Sequence, residues 1–217
     1  MGVQALVLAA VVGCVAPLNN DLVGLWESTQ TSKGGIGHTL EFKADGSFLE
    51  AVTVLVELSY HVENGKLFVA ETPAAAKQAK DGIKIELESD ALVVTGPEGS
   101  VERRNRIAKD STAKSIVGAW SYRHYTGAIA YERYHSDGRL SFRLPMTSSS
   151  GCYQTKAGAL TLVFTDNRKS PLGYTLREDH LDLRGQKDKL TRYRRSAAGP
   201  WYPRDDIDYQ PPKQSTR

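Results

Sequence analysis

Apolar residues recur at every second position over short stretches of this chain, and turn residues break the stretches roughly every 8–12 positions. Leu140, Phe142 and Leu144 alternate with Arg139, Ser141 and Arg143, the pattern of a strand with one buried face. Lys43-Ala44-Asp45-Gly46 and His135-Ser136-Asp137-Gly138 read as tight hairpin turns, since Asp-Gly supplies the positive φ such turns require. Asn64-Gly65 and Ala157-Gly158 punctuate the hairpins that follow. The predicted class is therefore all-β. One short helix is expected after Thr72, with Thr72 as N-cap, Pro73 at its first position and Gly82 just past its end.

The pattern is written twice. Leu22-Val23-Gly24-Leu25-Trp26 returns as Ile116-Val117-Gly118-Ala119-Trp120, 94 residues on. The Asp45-Gly46 turn returns at Asp137-Gly138, offset 92, and Tyr60, Gly65, Leu67 and Val69 match Tyr153, Gly158, Leu160 and Leu162, offset 93. Leu87, Asp90, Leu92, Val101 and Arg103 match Leu176, Asp179, Leu181, Leu190 and Arg192, offset 89. The order of landmarks never changes, so residues 21–107 and 115–195 form two copies joined by a polar linker, 108–114. Each copy is expected to carry about eight strands and to close on itself, giving two tandem small antiparallel meander β-barrels without free edges. Residues 196–217 lack periodicity and read as a flexible tail, in which Trp201 and Tyr202 are candidate anchors.

Composition narrows the function classes. Among 217 residues, 28 Lys+Arg against 25 Asp+Glu leave a net charge of +3, too mild for a nucleic-acid footprint. Two cysteines exclude a disulfide-dense scaffold. The five histidines are scattered and show no metal-ligand spacing, and no P-loop, dinucleotide or nucleophile-elbow motif is present. No metal and no cofactor is expected.

The first thirteen residues hold a short apolar run, Ala5–Val12, below the length of a spanning helix. They read as a signal peptide. Val11-Val12-Gly13-Cys14 resembles a bacterial lipobox, which implies lipid attachment at Cys14, a tether over 14–20 and a place in the cell envelope, with a periplasmic or secreted protein as the alternative. Met1-Gly2-Val3-Gln4 carries none of the positive charge a signal peptide wants. If Cys14 is lipidated, Cys152 is a lone packing thiol and no intramolecular disulfide forms.

Gly-x-Trp on the first strand with an arginine on the last resembles the lipocalin-like, or calycin, barrels. The residues are Gly24, Trp26 and Arg103 in the first copy and Gly118, Trp120 and Arg192 in the second. The resemblance implies that each tryptophan lies across the closed end of a barrel and that the arginine stacks over it. Each copy is shorter than a full lipocalin, closer to the small lipocalin-like domains of bacterial exported proteins.

Candidate chemistry sits in the second copy. Parity from Trp120 turns Tyr122 and His124 inward, and Glu132, Tyr134 and Tyr153 join them as a polar, aromatic interior. The first copy offers Ser28, Gln30 and Phe42, with Glu50 between Phe48 and Val52. The function expected is non-catalytic binding of a small apolar or amphipathic ligand, or of an envelope protein partner, with the membrane reached only through lipid and no nucleic acid bound. An enzyme using the inward cluster and an envelope scaffolding lipoprotein are the alternatives.

Overall fold

The computed structural model describes residue 14, residues 21–107 and residues 115–196. The signal segment, the tether beyond Cys14, the linker, Trp201, Tyr202 and the tail after residue 196 lie outside the described residues. The first half holds β1 (Gly24–Ser28), β2 (Ile36–Phe42), β3 (Ser47–Glu63), β4 (Lys66–Ala70), β5 (Ile83–Leu87), β6 (Ala91–Thr95) and β7 (Val101–Arg106). The second holds β8 (Gly118–Arg123), β9 (Ile129–Tyr134), β10 (Arg139–Lys156), β11 (Ala159–Phe164), β12 (Lys169–Arg177), β13 (His180–Arg184) and β14 (Leu190–Arg195).

The expected all-β class is what forms, with one short helix, α1 (Pro73–Gln78), in the first half. Thr72 Oγ1 accepts from the backbone of Ala75 at 3.2 Å, and Pro73 sits at the helix start. The helix ends before Gly82, whose missing side chain instead lets the Phe68 ring close over it.

The strands close into one antiparallel ring of 14, and β3 and β10 also pair with each other across it. That cross-pairing divides the ring into two circuits of eight strands. The first runs through β10–β14 and β1–β3, the second from β3 through to β10. The expected closure of each copy on itself is therefore not met, because both circuits draw strands from both halves. Each half has seven strands rather than about eight, since β3 and β10 run 17 and 18 residues. The first end of each serves one circuit and the far end serves the other.

The sequence explains the long strands. β3 contains no Gly, Pro, Asn or Asp, and its β-branched run through Val52, Thr53, Val54 and Val56 offers no place to turn. In β10, Pro145 lacks a ladder donor and falls where the register with β3 shifts. The Asp-Gly turns then dock on the opposite half: the Gly46 carbonyl accepts from Tyr153 N at 2.9 Å, and the Gly138 carbonyl from Tyr60 N at 2.8 Å.

Two apolar clusters fill the circuits. Trp26, Leu40, Phe42, Phe48, Tyr153, Leu160 and Leu181 anchor the first. Leu67, Leu92, Trp120, Tyr134 and Leu140 anchor the second, with Leu58 and Tyr60 against them. Arg143 and Ser141, which alternation assigns to a solvated face, are buried at the seam between circuits. Arg143 donates to Glu27 on β1 at 2.8 and 2.9 Å and to Glu57 on β3 at 2.6 Å, so the charge is held by two carboxylates.

Both tryptophans are fully buried and carry an arginine, but not the arginines expected. Arg195 lies 4.1 Å over the Trp26 ring and Arg106 lies 4.1 Å over Trp120. Arg103 and Arg192 are exposed and face Glu88 and Asp182 instead. Three residues along a strand is an odd step and reverses the face, which is why the shift matters. Arg195 donates to the Val23 and Asp21 carbonyls, each at 2.6 Å, and Arg106 donates to those of Val117 and Ser115 at 3.3 and 2.9 Å. At Gly24, where φ is +135°, a Cβ would come within 2.7 Å of Arg195 Nη1.

Cys14 is disulfide-bonded to Cys152 on β10. Cys152 is thus not a free packing thiol. One sulfur cannot hold both a lipid thioether and this disulfide, so the bonded form excludes a lipid at Cys14.

Candidate functional site

Three of the five residues expected in the second interior, Tyr122, Glu132 and Tyr134, come together, with Arg104 as an addition. β8 turns Tyr122 inward, β9 turns Glu132 and Tyr134 inward, and β7 contributes Arg104 opposite them. Glu132 is 6% exposed and pairs with Arg104 Nη1. Tyr134 Oη donates to Glu132 Oε2 at 2.6 Å and Tyr122 Oη to Oε1 at 3.2 Å. The Arg104 guanidinium also stacks 4.6 Å from the Tyr122 ring centre and reaches Glu102 at 2.8 Å.

The electrostatics follow from this enclosure. Burial pushes the Tyr134 hydroxyl well above its ordinary value, and the adjacent Glu132 charge adds to the rise. Tyr122 is raised for the same two reasons. Burial is the largest single influence on Arg104 and opposes its charge, but Glu132, Tyr134, Tyr122 and Glu102 together outweigh it and the net shift is upward. Both carboxylate oxygens of Glu132 are engaged, so the cluster forms a closed set of charge-assisted bonds.

His124 sits at the end of β8, bonded through Nδ1 to Thr126 Oγ1 at 3.0 Å, and packs against Tyr125 and Phe142. It does not touch Glu132. Tyr153 belongs to the first circuit, edge-on to Phe42 at 4.8 Å, and donates to the Lys43 carbonyl at 3.0 Å. The pairing of β10 with β3 places it in the other circuit from Tyr122, Glu132 and Tyr134.

Open space lies in the other circuit. A cavity of about 460 Å³ enters the end of the first circuit away from Trp26. Its apolar lining is Leu40, Leu162, Phe164, Leu172, Leu183 and Tyr193. The tight β11–β12 turn and the loop at 185–189 frame its mouth with Arg168, Lys169 and Lys189, while His38 and Glu50 stand on the β2–β3 wall. Burial, helped by the charge of Glu50, raises the pKa of Tyr193.

The difference between the circuits is chemical as well as spatial. Leu40 is paired to Trp26 as Glu132 is paired to Trp120, and Tyr193 is paired to Leu181 as Arg104 is to Leu92. An ion pair fills the second interior where leucine and tyrosine leave room in the first. At the matching end of the second circuit, α1 joins β4 to β5 and packs on β3 and β4 with Ala76 buried. The sequence signal was the offset between copies, which falls from 93 to 89 across this connection.

Compared with protein-family models, curated proteins and solved structures, the chain matches none.

Proposed function

We propose that this protein is an exported, non-catalytic binder of a small apolar or amphipathic molecule, built from two lipocalin-like copies that have exchanged strands. The observation that carries the reading is the cavity of the first circuit. Its volume of about 460 Å³ falls in the range of about 300–1,000 Å³ usual for small-molecule sites. Leucines and Phe164 line it beside a larger share of polar groups, a mixture that suits an amphipathic ligand. The matching Trp-Arg stacks at 4.1 Å in both circuits support the tandem, lipocalin-like origin.

Export is supported by the Cys14–Cys152 bond, since stable disulfides belong to oxidising compartments. A periplasmic or secreted protein fits this bond, and a Cys14 lipid anchor does not. Thiol titration of the unfolded, unreduced protein separates the two: no free thiol is expected, whereas one reactive Cys152 would restore the lipid anchor.

Binding is tested with a fluorescent apolar probe on the full chain. Leu172→Trp, which fills the cavity, should abolish probe binding, while the matched change Ile83→Trp in the second circuit should not. Equal loss from both variants, or from neither, would sink the reading.

A further inference from the structure

The walls of the cavity are charged unequally, and the inequality selects a ligand. The mouth beside β11, β12 and the 185–189 loop carries Arg168, Lys169 and Lys189, against the single carboxylate of Glu50 on the opposite wall. Arg168 holds its guanidinium 4.0 Å over the Phe164 ring, where the apolar floor ends. Its only ion-pair contact among the described residues is Asp166 at 3.6 Å, with both side chains more than half exposed. That pair neutralises little of the cation. Lys189 enters from the loop that closes the other side of the mouth.

We infer that the cavity takes a single-tailed anionic amphiphile, its acid head between Arg168 and Lys189 and its tail over Phe164, Leu162 and Leu40. This rests on the reading of the cavity as a ligand site. The tail replaces water on an apolar floor, and the head meets cations that protein carboxylates leave largely unspent. Glu50 stands beside the tail path on β3 and repels a second acidic group there, which restricts the ligand to one charged end.

The experiment is calorimetric titration of the full, oxidised chain with four ten-carbon amphiphiles below their micelle concentrations: decanoate, decyl phosphate, decyltrimethylammonium and decyl maltoside. Both anions should bind about tenfold or more tightly than the cation, and the better of the two identifies the head as carboxylate or phosphate. Arg168→Glu with Lys189→Glu should reverse that order, Arg168→Gln with Lys189→Gln should flatten it, and Glu50→Gln should tighten both anions. Circular dichroism of each variant confirms the fold. Equal affinity for all four chains, or an order unmoved by charge reversal, overturns the anionic assignment and leaves the cavity a binding site. Failure of all four to bind overturns the anionic assignment alone if Leu172→Trp still abolishes probe binding, and overturns both readings if Leu172→Trp leaves probe binding unchanged.

Discussion

The hydroxyl of Tyr60 donates to the backbone carbonyl of His135 at 2.8 Å, although 75 residues separate them. Its counterpart Tyr153 does the same to Lys43 at 3.0 Å, in the opposite direction between halves. Each tyrosine thus reads the Asp-Gly turn of the other half, not its own. The Trp-Arg caps obey the same rule, since Arg195 covers Trp26 and Arg106 covers Trp120. Neither circuit can be completed from one half alone.

The caps give a prediction about which arginines matter. Arg195→Ala and Arg106→Ala each remove a ring contact and two donors to carbonyls, and should each cost about 1–3 kcal/mol. Arg103→Ala and Arg192→Ala remove exposed charges and should stay within about 0.5 kcal/mol. Urea denaturation of the four variants decides it; equal effects across both pairs would contradict the cap assignment.

The buried ion pair should behave asymmetrically. Glu132→Ala leaves Arg104 with the more exposed Glu102 as its one carboxylate and should cost about 3–5 kcal/mol. Replacing Glu132 with Leu and Arg104 with Tyr together copies the Leu40 and Tyr193 arrangement of the first circuit. The double variant should recover most or all of that loss, measured by the same denaturation. A double variant as damaged as Glu132→Ala would show that the pair does more than fill space.

Alkaline pH should destabilise the fold. Burial raises the pKa of Tyr60, Tyr122, Tyr134, Tyr153 and Tyr193, with Tyr153 pushed up to about 12. A tyrosine raised on folding contributes stability that is whole below its unfolded value near 10, and that is lost as pH climbs through the folded value. The urea midpoint should therefore fall steeply above about pH 10, and Tyr134→Phe should make the fall shallower. A midpoint unchanged up to pH 12 would refute this.

Much of this was legible in the sequence, and the misses have physical causes. Period-2 patterning and Asp-Gly turns located the strands because both are local properties. Gly24, Trp26, Gly118 and Trp120 were recognisable because the same Gly-x-Trp recurs 94 residues on, with the other landmarks in the same order. Their arginines are not legible from the repeat, because the copies align at Arg103 and Arg192 while the stacking residues, Arg106 and Arg195, lie an odd step further on the opposite face. Strand exchange stayed hidden because a strand pattern does not say which partner it meets. The breaker-free run of β3 was the available clue. Glu132, Tyr134 and Tyr122 were found by parity alone, but Arg104 was overlooked as one of two adjacent arginines. The cavity was missed because it needs Leu40 from one half and Leu162 from the other, which only exchange brings together.

Exchange is the central claim, and a cut in the linker tests it most directly. With a protease site placed within residues 108–114, the folded protein is cleaved and the Cys14–Cys152 bond is then reduced. The two halves should remain together in size-exclusion chromatography with light scattering, at the mass of the intact chain, and separate only in denaturant. Two species of half mass that each keep a β-sheet circular dichroism spectrum would mean that each half closes on itself, and would contradict the account.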